Sequence, residues 1–515
     1  MHRQKRNAYN ENHTCHTRVC VLLNKKKVLL QVKKLSKSHI LPCAILFLLI
    51  ASYTVFFGIL SIDKHNRFAS LAFDLGIYDQ AIWQFSRFET PFNTIRGIHI
   101  FGDHLTPINA LISPLYWIFD DVRALLILQS LILASAAIPL FFITRQYFKS
   151  RWVPLIFVVA YLLFPALHYV NLEDYHPEAF IPLLLLSAFY FIQTNRRMPY
   201  FTCIALALLT REETALTTFM IGAYVYFVFD KKTGIITSAI SLAWFLIALK
   251  GIIPFFNETS YWHATRVFSE FGSTPLEIAT RAINPTFLFS KLFTQANATY
   301  IWELFAPVGF LALLNPATLI IAAYLWVNLI ASWPYSHSIQ YHYVIPIIPF
   351  VFLSAVIGTA RFKTRKAALY PLLTLLLLST LLANYHIAPF DSSMKNYQQI
   401  AQRIARFNGP SGSEHDAYNM LALIPHNASV TASYHLVPHL SHRNTIYNFP
   451  NPFKEHYWGD GTQPPPQDYP EFIILRESHV KEHAAILESL LKNNTYTTLR
   501  RTDEFALFAL RKSTT

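Results

Sequence analysis

Five stretches of this chain, Leu41–Ile62, Val122–Ile143, Val153–Leu167, Ile235–Phe256 and Ala367–Ala383, approach or exceed the roughly 20 apolar residues that cross a bilayer core as a helix. Hydrocarbon offers no water to the backbone, so a run of this kind must close its own hydrogen bonds, and a helix does so. At 53% hydrophobic residues over 515 positions, the chain is too apolar for a soluble protein and long enough to cross a membrane many times. A long polar lead precedes the first run, and no small-residue cleavage site follows it. The first helix therefore reads as an anchor, not a removed signal.

The formal charge of +13 suggests nucleic acid until it is located. Residues 1–39 carry ten Lys and Arg against the single acid Glu11, so +9 of the +13 sits before the first span. Basic residues there set orientation and touch anionic lipid, which makes 1–39 a cytoplasmic, disordered tail and removes nucleic acid as a partner. Cys15 and Cys20 lie in that tail, while Cys43 and Cys203 fall inside spans, so no disulfide framework is implied. Cys15 with His13 and His16 matches no standard metal spacing.

Counting positive charge on the inner side gives about eleven spans. Arg145 to Arg151, Arg196-Arg197, Lys231-Lys232 and Arg361 to Lys366 mark the cytoplasmic turns. Residues 63–106 form a long external loop, and Pro107–Phe119 is too short for a span and reads as re-entrant or interfacial. The stretch Pro199–Phe229 reads as two short helices turning at Arg211-Glu212-Glu213 on the external side. After Tyr385 prolines, histidines and charges return. Strands are expected at Ser429–Ala432, Phe472–Leu475, Tyr496–Arg501 and Phe505–Leu510, a helix at Val480–Leu491 and a loop at Pro464–Pro466. The expected domains are thus 1–39, a membrane domain at 40–385 and a small external α/β domain at 386–515.

Two polar clusters stand in apolar surroundings on the same expected face: Phe73-Asp74-Leu75-Gly76-Ile77-Tyr78-Asp79-Gln80 and Glu173-Asp174-Tyr175-His176-Pro177-Glu178. Asp103 and His104 share the first loop, and Arg211 supplies a cation. A carboxylate there can take the proton from an acceptor hydroxyl or amine as a new bond forms. An Arg can hold a phosphate with its planar fork of donors. The plainer alternatives are that Asp74 is only the N-cap of an interfacial helix, and that Arg211 only pairs with Glu212, Glu213 or Asp174 to hold the bundle. A divalent cation is possible at His176 with Glu178, or at Asp103 with His104, but two ligands do not define a site. The sequence has no phosphate-cradling Gly-rich loop, no nucleophile elbow and no zincin pattern.

These motifs, with Gly102-Asp103-His104-Leu105-Thr106-Pro107, Thr210-Arg211-Glu212-Glu213 and Pro438-His439-Leu440-Ser441-His442-Arg443, resemble a bacterial family of multi-pass membrane proteins, domain of unknown function 2079. The resemblance spans roughly residues 65–510. That family is similar in turn to the C-fold membrane glycosyltransferases, which use polyprenyl-phosphate sugars on the external face. The resemblance implies a catalytic Asp in the first external loop, matched by Asp74, and a second acid in the next, matched by Asp174. It also implies a basic residue near the lipid phosphate, matched by Arg211; Asp174 with His176 is expected to orient donor or acceptor, and Asp79, Asp103, His104, His176 and Glu178 to line the site. The expected fold is an all-α polytopic membrane protein of the C-fold type with a small C-terminal α/β domain. The expected reaction moves a sugar from a polyprenyl-phosphate donor to a lipid, glycan or protein acceptor in the cell envelope. The alternatives are a lipid or glycan transporter, which needs a polar path across the bilayer, and a non-catalytic assembly protein, in which Asp74 and Arg211 lie far apart.

Overall fold

A computed structural model describes residues 40–257, 267–272, 275–389, 413–454 and 469–511. The basic tail and the loop at Pro464–Pro466 lie outside the described residues. The protein is mostly helical. Among the described residues, five helices are long and apolar enough to cross a membrane: Ile40–Asn66, Arg123–Tyr147, Lys231–Asn257, His342–Ala360 and Lys366–His386. The bent pair Val153–Leu162 and Pro165–Glu173 makes a sixth if it counts as one span. Other stretches expected to span form shorter apolar helices, Pro177–Gln193, Arg197–Leu208, Thr214–Val228 and Pro316–Ile330. Pro107–Phe119 divides into two short helices, Ile108–Ile112 and Leu115–Ile118.

The 44° bend in the third span has a local cause. Pro165 brings no N–H to the ladder, which frees carbonyls one turn earlier. Side chains take them up: His168 Nε2 donates to the Leu162 oxygen at 2.7 Å and Asn384 Nδ2 donates to the Leu163 oxygen. Without those donors, bare carbonyls would face hydrocarbon.

The bundle interior is apolar, built on residues such as Leu140, Phe157, Phe189, Ile204, Phe352 and Leu376. Its basic ends meet, with Arg197 Nη2 3.4 Å from Asp230 Oδ2 and Gln193 donating to the Tyr147 hydroxyl at 2.6 Å. Every buried Asp, Glu, Lys and Arg among the described residues lies at the other end or in the C-terminal segment: Lys64, Asp79, Arg96, Asp103, Asp174, Glu178, Arg211, Glu212 and Arg443.

A two-strand ribbon, β1 (Phe92–Asn93) and β2 (Ile98–His99), sits in the first long loop. The C-terminal segment forms one five-stranded sheet from β3 (Val430–Ala432), β4 (Ile446–Asn448), β5 (Phe472–Arg476), β6 (Tyr496–Arg501) and β7 (Phe505–Leu510). The order is β4-β3-β5-β7-β6, with β3 parallel to β4 and β5, and β7 antiparallel to β5 and β6. Strand alternation divides its side chains. Val430, Ala432, Ile474 and Leu507 pack on Phe68, Ala72, Ile77, Ala81, Ile95 and Ile100 of the first long loop. Ile473, Leu475 and Phe508 pack instead with Leu487 and Leu490 of the helix Ala484–Lys492. One face of the sheet is thereby fastened to the loop that carries Asp74.

Candidate active site at one end of the spans

The loop after Ile40–Asn66 is drawn against the loop after Pro165–Glu173 by a single buried lysine. Lys64 Nζ donates to the carbonyls of Leu172 at 3.0 Å and Glu173 at 2.9 Å and to Asp174 Oδ1 at 2.8 Å. A cation suits the exposed carbonyls of a helix C-terminus. Asp174 Oδ2 accepts the Leu71 N–H at 3.1 Å, and Gln129 ties the loop from below, accepting the His176 N–H at 2.8 Å and donating to the Asp174 carbonyl. Asp174 is thus a closed clamp. Burial raises its pKa, opposed by Lys64 and the Leu71 N–H.

The clamp sets the backbone of Ala72–Gly76, where Asp74 lies at φ 73°, ψ −90°, ahead of the helix Ile77–Ser86. The N-cap reading of Asp74 is therefore corrected: Gly76 precedes that helix and no side-chain cap bond is made. Asp174 has φ 134° and ψ −175°. Both acids occupy backbone regions that cost a non-glycine residue about 1–3 kcal/mol and that collect at functional sites.

Asp74 opens into a cavity of about 600 Å³ whose wall includes Arg96, Asp103, His104, Glu173, Arg211 and His342. Trp333, Tyr335, Tyr341, Tyr343, Tyr434 and Asn448 complete much of the rest. Its carboxylate is 36% exposed, and Oδ1 lies 3.4 Å from the fully buried His176 Nε2. Burial pushes the Asp74 pKa up, but His176, His342 and Arg211 override it and hold the carboxyl well below its ordinary value. His176 shows the converse: burial lowers its pKa, yet Glu173, Asp74 and Glu178 carry it to about 10.

Arg211 stands in the turn between Arg197–Leu208 and Thr214–Val228, as the two-helix reading of this stretch expects. It donates from Nη1 to Glu178 Oε1 and from Nη2 to His104 Nε2 at 2.9 Å, with Glu213 Oε2 3.4 Å from Nε. His104 accepts at Nε2, so its proton sits on Nδ1, facing Glu212 Oε1 at 2.8 Å. Glu178 is pushed up by burial but pulled down to about 2 by Arg211 and the nearby histidines. Asp103 is held in both its oxygens by Arg96, at 2.9 and 2.8 Å.

The expected residues thus divide. Asp74, Asp103, His104 and Arg211 line the cavity. Asp174, His176 and Glu178 stand behind it as supports. Asp79 is directed away, into a separate contact with Tyr116, Ser441 and His442. Of the two-residue cation pairings, Glu178 is engaged by Arg211, and Asp103 by Arg96. Sequence reading missed Lys64, Arg96, Gln129 and His342, and gave Glu173 no role beyond its place in the second polar cluster. Lys64 and Gln129 sit in or beside long apolar runs, where a polar side chain signals a buried partner. The C-terminal segment contributes Tyr434 and Asn448 to the wall, whereas Ser441 and His442 of Pro438–Arg443 contact Asp79.

The sequence from 64 to 507 matches a family model described as "Predicted membrane protein (DUF2079)". The chain belongs to this family. No curated protein sequence matches it. Among solved structures, the chain is similar to ArnT from Cupriavidus metallidurans bound to undecaprenyl phosphate, at 9% identity and a TM-score of 0.54, covering 91% of this chain and 98% of that one. The apo state of the same protein matches at 9% identity and a TM-score of 0.47, over 89% and 98%. This DUF2079 protein therefore shares the fold of ArnT along nearly its whole length.

Proposed function

We propose that this DUF2079 protein is a membrane glycosyltransferase that moves a sugar from a polyprenyl-phosphate donor to a glycan, lipid or protein acceptor. The observation that carries the reading is the ionised, part-open carboxylate of Asp74, held in a strained turn and facing a cavity lined by Arg96 and Arg211. The lipid class comes from the ArnT structure, which holds undecaprenyl phosphate in the same fold.

In this reading Asp74 takes the acceptor proton while the sugar leaves the lipid phosphate. Its depressed pKa keeps it ionised, which readies it as a base but limits its basicity; the proton moves only as the new bond forms. The Arg211 side chain borders the cavity and neutralises phosphate charge without leaving its carboxylate partners. The Trp333 and Tyr343 rings offer flat apolar faces to a sugar. Asp174 acts through the backbone it fixes.

The protein sits in the inner membrane with 1–39 cytoplasmic, 40–385 in the bilayer and 386–515 external, so the cavity opens outward. A transporter is disfavoured because the buried charges gather at one end over an apolar bundle. The deciding experiment is transfer from a polyprenyl-phosphate sugar in membranes, wild type against Asp74→Asn at matched protein level. Turnover by Asp74→Asn equal to wild type would remove the general-base mechanism.

A further inference from the structure

We infer that Glu173, His176 and His342 form a transition-metal site in the cavity wall, with Zn²⁺ as the ion that best fits the donor set. Each residue offers one ligand atom, and the three atoms lie within 4.8 Å of one another. Around a tetrahedral ion with bonds of about 2.0–2.1 Å, ligand atoms stand about 3.4 Å apart, so a small inward movement closes the site. Two imidazoles and a carboxylate form one of the donor sets that zinc takes in enzymes.

Two further observations point to an ion. First, Glu173 Oε2 is buried and, among the described residues, makes no hydrogen bond, and the buried His176 Nε2 has no well-formed bond, with Asp74 Oδ1 3.4 Å away. Both belong to the cluster and would gain a partner there. Second, the other nitrogen of His176 is already oriented. Its Nδ1 lies 3.2 Å from the Asp174 carbonyl, which holds a proton on Nδ1, so that an ion bound at Nε2 would replace the ring's other proton. A backbone carbonyl on the remote nitrogen is the usual support of a metal-bound histidine. Asp174, held by Lys64, thereby aims a ligand as well as a loop.

The His176 and His342 rings stack at 4.0 Å with 22° between planes, and His342 Nδ1 lies 3.1 Å from Glu173 Oε1. Glu173 and His342 face the cavity, and Asp74 Oδ1 approaches His176 Nε2 from the same side. Three protein ligands and a fourth position open to the cavity is the arrangement of catalytic zinc, not of a closed structural site. A phosphate oxygen or a water would fill that position. Sequence spacing gave no hint of it, since Glu173 and His176 pair with a histidine far along the chain.

The test uses the full chain, purified in detergent without chelator, and does not depend on any transfer activity. Elemental analysis is expected to find about one zinc per chain. After stripping, Co²⁺ should restore one equivalent with the intense visible absorption of a four-coordinate site, and Zn²⁺ should displace it. Wild-type thermal unfolding should fall on stripping and recover with Zn²⁺. Glu173→Gln and His342→Ala, each checked as monodisperse, should weaken Zn²⁺ binding at least tenfold. Wild-type protein that neither retains zinc nor binds Co²⁺ or Zn²⁺ after stripping overturns the site, as does unchanged affinity in both variants.

Discussion

Asp74 and Asp174 are a hundred residues apart, look alike in sequence and come to perform different physical work. Asp174 is almost fully enclosed, with Lys64 on one oxygen and the Leu71 N–H on the other. Asp74 keeps more than a third of its side-chain surface open. Removing the Asp174 charge leaves Lys64 buried and unpaired, which typically costs about 3–5 kcal/mol. Asp174→Asn should therefore lower the melting temperature markedly, and any activity loss should scale with the folded fraction. Asp74→Asn should lower the melting temperature less than Asp174→Asn, because its side chain is part-open, while reducing transfer by about 10²–10⁴-fold, the usual contribution of a positioned base. Paired melting and turnover measurements on the two variants separate these roles; equal melting losses would show that both acids are structural. The clusters themselves were readable, because carboxylates at the ends of apolar runs are conspicuous. Which acid stays open was not, since that depends on a lysine in the preceding helix and on two strained backbone angles.

Element by element, the apolar runs, the turn at Arg211 and four of the five C-terminal strands follow from periodicity and charge alone. The strand β4 was missed because three residues, Ile446–Asn448, carry no alternation to detect. The 44° bend starts at Pro165, but a partner that takes up a freed carbonyl there, Asn384, lies far along the chain. Gly102 shows how a motif residue gains meaning only in space. A Cβ there would lie 2.8 Å from the Phe256 oxygen, on the helix Ile253–Asn257, whose Asn257 also donates to the Gly102 carbonyl at 2.9 Å. Backbone cannot yield as a flexible side chain does, so Gly102→Ala must push the short helix Ile100–Asp103 off its neighbour. Asp103 and His104 would move with it. The expected outcome is a loss of transfer of at least tenfold, with a stability cost of about 1–3 kcal/mol from overpacking; wild-type turnover in this variant would show that the loop tolerates the shift.

Across the whole molecule, the sheet-bearing segment is held to the membrane end by a polar latch that lies behind the cavity. His442 bridges Asp79 Oδ1 at 3.1 Å through Nε2 and Asp120 Oδ1 at 3.0 Å through Nδ1. Asp79, fully buried, also accepts from Tyr116 and Ser441, while Arg87 pairs with the other oxygen of Asp120 and Trp83 stacks near the imidazole. Burial lowers the His442 pKa, but Asp79, Asp120 and Asp121 outweigh it and raise the pKa above 6.5. A histidine whose folded pKa exceeds its unfolded value contributes stability fully below pH 6.5 and loses it as pH rises through the folded pKa. The latch should therefore hold best in mildly acidic medium and weaken through neutral to alkaline pH. Differential scanning of wild type and His442→Gln across that range should show a wild-type melting temperature that falls with rising pH and a flatter variant. Equal slopes would mean that the His442 charge does not hold the segment, leaving the apolar contacts of Val430, Ala432 and Val437 with Ala72 and Ile77 and the bonds from Gln80 and Thr94. Because Tyr434 and Asn448 in the cavity wall ride on this same segment, loosening the latch should also raise the KM of transfer before it affects turnover.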